Sequence, residues 1–375
     1  MTDDTLPDPD RIEGAPHPRD TPQVFGQRAA EAGFLAAFAA DRLHSGWLLS
    51  GPRGIGKATL AYRIAAFLLA QPATSDAGLL GAPPPPATLD IAPDAPDLRL
   101  IRAGAHPRLF VLRRGPNDTG TRLSATISVE RVRELKGFFQ MSAADGGRRV
   151  VIVDSADEMN TSAANALLKS LEEPPARVTQ LLIAHQPARL LPTIRSRCRE
   201  LRLAPLGAAD LAQALAAQGR APDAAEALAV LAGGSVGDAI RLAQHDGLAL
   251  YAGLVALLAD LPRFDRPAAL RLAESCAGKG AEVRFPLVLD LIDLLLARLA
   301  RAGLQGPPDV QAAPREARLL ARLAPDDRAA RHWASLQQDL GQRARAGRAV
   351  NLDPAVLILD MLWRIEEAAR SVAAA

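Results

Sequence analysis

The nine residues Gly51-Pro52-Arg53-Gly54-Ile55-Gly56-Lys57-Ala58-Thr59 combine glycines and a lysine at a spacing suited to holding phosphate. Glycines let backbone N–H groups turn inward around anionic oxygens. The apolar run Trp47–Leu49 precedes the loop and a helix-patterned run follows it. The positive end of that helix would point at the anion, and the ammonium of Lys57 would sit against the outer phosphates. One position departs from the pattern. The residue after the lysine normally supplies a hydroxyl to Mg²⁺, and here it is Ala58. Thr59 comes one step later, and one helical step turns a side chain by about 100°. Thr59 therefore does not simply replace the missing group.

A second candidate is Asp154, which ends the apolar run Val150-Val151-Ile152-Val153. In a phosphate-loop protein such a carboxylate helps to hold Mg²⁺ through water. Gly51, Gly54, Gly56, Lys57, Thr59 and Asp154 are thus the candidate residues of a degenerate ATP/Mg²⁺ site. The position after the aspartate usually carries a glutamate that orients the attacking water, and here it is Ser155. A hydroxyl neutral at pH 7 is a poor base. Asp157 and Glu158 follow in the next turn. This pairing of groups predicts weak or no hydrolysis even if ATP binds. Two plainer readings stay open: a Gly-rich turn without a ligand, and an aspartate that only caps a loop.

The elements that would position these groups follow from periodicity. Short apolar runs of strand length occur at Trp47–Leu49, Leu109–Leu112, Val150–Val153, Gln180–Ala184 and Leu201–Leu203. Helical patterns at Ala58–Ala70, Val129–Phe139 and Ser162–Glu172 separate most of them. Strands alternating with helices predict an α/β fold with a parallel sheet covered on both faces. After about residue 205 the chain is Ala/Leu-rich and reads as helical, broken by Gly233-Gly234, by Pro262 and by Gly303–Pro308. Residues 1–20, with five Asp and four Pro, read as a disordered tail. Residues 71–97, with Pro83-Pro84-Pro85-Pro86, read as a surface insertion.

Composition excludes several classes. The only cysteines are Cys198 and Cys276, so neither a disulfide framework nor a four-cysteine metal site forms within one chain. No stretch has 18 consecutive uncharged apolar residues, and the acidic, Pro-rich start is unlike a signal peptide, so the expectation is a cytoplasmic protein. A net charge of +2 argues for no nucleic-acid partner by itself. Cys198 reads as a small hydrophobe without an activating partner.

The segment after Asp154 carries a family resemblance. Asn165-Ala166-Leu167-Leu168-Lys169-Ser170-Leu171-Glu172-Glu173-Pro174-Pro175, then Leu181-Leu182-Ile183-Ala184-His185, then Ser196-Arg197-Cys198, resemble the AAA+ clamp-loader subunits of bacterial DNA polymerase III. Phe25-Gly26-Gln27 and Gly46–Pro52 match the family's start. The likeness is dense from about residue 24 to 205 and fainter beyond. It implies a five-stranded AAA+ module at 21–205, with 71–105 standing where the family has a zinc module. It further implies a helical lid at 206–262 and a helical collar for oligomerisation at 263–375. It places the Asp154 strand near the sheet's centre and the Ala184 strand beside the phosphate-loop strand.

The departures from the family narrow the reading. Its motor subunits keep a hydroxyl at position 58, a glutamate at 155, four zinc cysteines, and an arginine where this chain has Gly237 within Gly234-Ser235-Val236-Gly237-Asp238. Here all are absent while Arg197 is kept. By resemblance the chain is a stator-type subunit that lends Arg197 in trans, as an arginine finger, to ATP on a neighbour. The implied partners are motor (gamma/tau) and delta subunits, with the sliding clamp and primer–template DNA reached through the complex. No zinc and no polymerase activity are expected, and little or no ATPase activity. A pairing of Arg197 with a local acid such as Glu200 stays open, as does His185 as a phosphate sensor or a plain loop histidine. The competing functions are an active motor-type ATPase and an assembly scaffold that never binds nucleotide. A small-molecule kinase would explain neither Ser196-Arg197-Cys198 nor the helical final third.

Overall fold

A computed structural model describes residues 8–9, 11–12, 14–72, 86–117, 119–140, 146–220, 224–261, 263–278 and 280–373. Two compact units are present: residues 1–221 with 235–237, and residues 222–234 with 238–375.

The first unit is built on five parallel strands: β1 (Gly46–Ser50), β2 (Leu109–Arg113), β3 (Arg149–Asp154), β4 (Val178–Ala184) and β5 (Arg199–Arg202). Their order across the sheet is β2-β3-β4-β1-β5. The Asp154 strand is therefore second of five, next to the central strand, and that central Ala184 strand lies beside the phosphate-loop strand, as the resemblance implies. Val150, Val151, Ile152 and Val153 are fully buried, because helices cover both faces of the sheet's middle. The edge strand β5 is different, with Arg199, Glu200 and Arg202 exposed and only Leu201 turned inward. Charges on an edge strand discourage pairing with other chains.

Seven helices of this unit are α1 (Arg28–Ala39), α2 (Lys57–Leu69), α3 (Pro96–Arg102), α4 (Val129–Gln140), α5 (Thr161–Glu172), α6 (Pro192–Arg195) and α7 (Ala208–Ala216). The start of α5 is set by Asn160, whose side chain accepts the Ala163 N–H at 2.8 Å; such a cap contributes about 1 kcal/mol. Its buried stripe is Ala163, Ala164, Leu167 and Leu171.

Two segments expected to stand apart from the core join it. Pro18–Asp20, placed in the tail by composition, forms a 3₁₀ turn, and His17 before it is buried with its ring edge-on to Tyr62 at 5.7 Å. Residues 1–7, 10 and 13 of that tail lie outside the described residues. Within the Pro-rich insertion, where 73–85 lie outside the described residues, Leu89 and Ile101 are buried. Buried His106 bonds Asp97 at 3.0 Å and accepts the Arg108 N–H at 3.1 Å. Arg108 also reaches Asp97 at 3.2 Å and the Leu69 carbonyl at 3.2 Å, tying α3 to the end of α2 and the start of β2.

In the second unit every described element is helical: α8 (Ala225–Leu231), the body of α9 (Val236–Gln244), α10 (Gly247–Leu258), α11 (Arg266–Glu274), α12 (Arg284–Gln305), α13 (Glu316–Leu323), α14 (Asp327–Ala349) and α15 (Pro354–Ala373). The boundary at 221/222 falls inside the span read as a lid. Helices α12 and α14 form the main seam. Gly303 is required there, because a Cβ would come within 2.5 Å of the Asp326 carbonyl oxygen. The apolar excess of Leu287–Leu296 is largely absorbed inside the unit, where Leu287, Val288, Leu291, Ile292, Leu295 and Leu296 are all buried. Among the described residues no helix is long and apolar enough to cross a membrane.

Candidate functional site

The end of β1 opens into the phosphate loop. Gly51, Gly54 and Gly56 have φ of 142°, 75° and 98°, values that side chains disfavour. A Cβ on Gly51 would also lie 2.6 Å from the Leu203 carbonyl oxygen. The loop leads straight into α2, whose first residue is Lys57. The loop's backbone thus has the shape of an anion cradle.

The lysine faces the loop itself. Only 3% of Lys57 is exposed. Its ammonium donates to the Gly51 carbonyl at 2.7 Å and to the Pro52 carbonyl. Burial pushes its pKa down to about 8, with Arg53 adding to the effect and Asp154 and Asp157 opposing it. Gln27, buried beside the loop, bonds the Ile55 carbonyl at 3.3 Å and both the carbonyl and N–H of Ala204. The Phe25-Gly26-Gln27 match therefore includes the clamp that fixes the loop's outer side.

At the end of β3, Asp154 and Ser155 are both buried. The Ser155 hydroxyl donates to the Asp154 carboxylate at 3.0 Å and lies 2.9 Å from His185 Nε2. With the serine proton given to the carboxylate, the imidazole carries its own proton on Nε2. The other ring nitrogen, Nδ1, is buried without a hydrogen-bond partner. The two carboxylates that follow along the chain are already engaged. Asp157 accepts the N–H groups of His185 and Gln186, at 3.2 and 2.8 Å, which ties the turn after β3 to the turn after β4. Glu158 pairs with Arg114 at 2.8 Å. Neither is free to take the role of the glutamate missing at 155.

His185 carries a pH signature. Burial and the charges of Lys57 and Arg53 push its pKa down to about 4, with Asp157 opposing. In an unfolded chain the imidazole titrates near 6.5. Between about pH 4 and 6.5 the unfolded state therefore binds more protons, and stability falls as pH drops through that window. We expect His185→Gln to remove on the order of 2 kcal/mol of this loss, less than the full shift because the ring is partly exposed. Urea midpoints of both proteins at pH 7 and 4.5 measure it, and equal acid sensitivity of the two would refute the assignment.

The segment in which the resemblance singles out Gly237 also meets the loop. Gly237 stands against the phosphate loop, its N–H donating to the Gly54 carbonyl at 3.2 Å. A Cβ on Gly54 would overlap the Ser235 hydroxyl at 2.2 Å, and one on Gly237 would overlap Ile12 at 2.2 Å. A larger residue at 237 would thus need Ile12 to move.

The structure separates Arg197 from all of these groups. It lies just before β5, and its carbonyl oxygen would sit 3.2 Å from a Cβ on Gly46, the first residue of β1. The phosphate loop follows Ser50, the last residue of β1. At about 3.3 Å per residue, some 13 Å of strand separate them. The parallel register, Trp47 with Arg199 and Ser50 with Arg202, fixes this separation. Arg197 does pair with a local acid, Glu172 at 2.9 Å, and not with Glu200, which accepts from the Ser50 hydroxyl. Next to it, burial pushes the Cys198 thiol up to about 12, so it stays protonated and unreactive at neutral pH.

The site therefore fits phosphate better than it fits magnesium. Its glycine loop and helix N-terminus suit an anion. The Mg²⁺ side presents the methyl of Ala58 and a serine already bonded to Asp154 and His185.

Comparison with known proteins bears on the same region. Residues 26–207 match the family model described as DNA polymerase III, delta subunit. The chain is 43% identical over 200 residues to DNA polymerase III subunit delta' of Pseudomonas aeruginosa, covering 52% of this chain and 55% of that one. It is 35% identical over 173 residues to the Escherichia coli subunit delta', 46% of each chain. It is 32% identical over 209 residues to that of Bacillus subtilis, 56% of each. The chain thus spans about half the length of the curated relatives it matches.

Proposed function

We propose, from the premise that residues 26–207 belong to the clamp-loader family of DNA polymerase III delta-type subunits, that this chain is a stator of the delta-prime kind. It takes its place in a ring beside ATP-hydrolysing motor subunits and a delta subunit, and the ring loads a sliding clamp onto primed DNA. Its workplace is the cytoplasm. Within the ring it presents Arg197 to the γ-phosphate of ATP on a neighbour.

One observation carries this reading: Arg197 lies just before β5, at the opposite end of the strands from the chain's own phosphate loop. A guanidinium that far along the strands from its own loop supports a role at another subunit's site. Permanent charge and planar, two-pronged geometry suit it to phosphate. The AAA+ module itself is kept as a rigid frame, with a nucleotide cradle that holds ATP weakly or not at all. Residues 206–262 act as the lid and 263–375 as the collar. In the collar, Leu352, Val356 and Trp363 are 51, 60 and 52% exposed, and a ring neighbour would cover such apolar side chains.

The test is ATP turnover by the purified chain alone. None above background is expected. Turnover that Lys57→Ala abolishes would instead make the chain a motor subunit. Co-purification with motor and delta subunits is expected as well, and a chain that stays alone at micromolar concentrations would count against the ring.

A further inference from the structure

We propose that Glu172 restrains Arg197: its carboxylate holds the guanidinium within the chain and competes with the neighbour's triphosphate for it. This rests on the reading of Arg197 given above. Both terminal nitrogens of Arg197 are engaged inside the chain, Nη2 with Glu172 Oε1 at 2.9 Å and Nη1 with the Thr193 carbonyl at 3.1 Å. These two nitrogens form the prongs that would grip a phosphate end-on. An incoming phosphoryl group must therefore displace the carboxylate to obtain both.

Glu172 is held where it can do this. It is the last residue of α5, a helix anchored through Ala163, Leu167 and Leu171 and capped at its start by Asn160, just after the Asp154–Glu158 turn. A carboxylate at a helix C-terminus faces the negative end of the helix dipole, so helix stability does not account for it there. An arginine partner does. The pair is also loose enough to exchange. The side chains are 37% and 47% exposed, and an ion pair this wet contributes little. A magnesium-bound triphosphate carries more charge than one carboxylate and takes the arginine when it arrives. The consequence is a threshold: Glu172 weakens the neighbour's hold on ATP without altering the chemistry once the arginine is engaged.

The test compares Glu172→Gln, Arg197→Ala and the double variant in the reconstituted loader, measuring kcat and KM for ATP. Thermal midpoints of the free chains serve as the control for folding. Glu172→Gln is expected to lower KM about two- to fivefold at unchanged kcat, the range an exposed ion pair represents. The double variant is expected to match Arg197→Ala, because Glu172 acts only through that arginine. An unchanged KM in Glu172→Gln, with Arg197→Ala defective, overturns the competition and leaves the arginine's role standing. A kcat lost in Glu172→Gln as in Arg197→Ala also overturns it, since the glutamate would then orient the arginine for the chemistry. Arg197→Ala indistinguishable from the parent sinks both readings.

Discussion

Replacing Arg197 with alanine in the assembled loader is expected to slow hydrolysis at the one adjoining ATP site by about a thousandfold, the lower end of what arginine fingers supply. Clamp loading should fall with it wherever that site's turnover limits the cycle. The chain itself should scarcely notice. Arg197 and Glu172 form a half-exposed pair, and such pairs contribute about 1 kcal/mol or less, so the thermal midpoint should hold. That contrast separates a functional arginine from a structural one. Arg197→Lys tests the geometry as well as the charge. It keeps one positive centre but loses the planar fork, so it should recover only a small part of the rate. Single-turnover hydrolysis, with the other motor sites inactivated, reads the affected site directly. A rate within twofold of the parent would remove Arg197 from the chemistry.

Much of the first unit was legible in the sequence because its signals are local. The run Val150–Val153 is apolar throughout, and a strand buried on both faces has no other way to look. The glycine loop announces itself because its φ values exclude most other residues. The fifth strand starts two residues before the apolar run that marks it. Its single inward residue, Leu201, is flanked by exposed charges, so the apolar pattern pointed to Leu201–Leu203. Helix α3 escaped notice for a similar reason: it starts at Pro96 within a Pro-rich stretch and buries only Ile101.

The site was legible in its residue types and not in its pairings. Asp154, Ser155, His185 and Arg197 could each be named in advance, but the Ser155–His185 bond spans 30 residues. The choice of Glu172 over Glu200 depends on which way each side chain leaves its element. Glu200 lies on the edge strand against Ser50, whereas Glu172 ends a helix that stops beside the arginine. Periodicity and propensity are silent on such contacts, because they are fixed by tertiary packing. The seat of Gly237 on the phosphate loop is of the same kind.

The largest stability effect is expected in the second unit, at a residue that composition gave no reason to single out. Glu316 is fully buried at the start of α13. One carboxylate oxygen accepts from the Tyr251 hydroxyl at 2.6 Å and from Arg298 Nε at 2.5 Å; the other accepts the Ala312 N–H at 2.6 Å. These bonds join α10, α12 and the turn before α13 at one point. Burial, and next the bond to Glu316, raise the Tyr251 hydroxyl above the ordinary phenol range, so it remains a donor at any physiological pH. Glu316→Ala would leave the Arg298 guanidinium, a phenol and a backbone N–H without their acceptor in a dry interior. Breaking a buried charge pair from one side costs about 3–5 kcal/mol. For a unit of this size that lowers the melting midpoint by roughly 10 °C. Tyr251→Phe removes one donor and leaves the charge pair intact, so its cost should stay near 1–2 kcal/mol by the usual scale for a buried hydrogen bond. Calorimetry on the two variants ranks them. A Glu316→Ala protein no less stable than Tyr251→Phe would mean that the carboxylate is not what holds these three helical segments together.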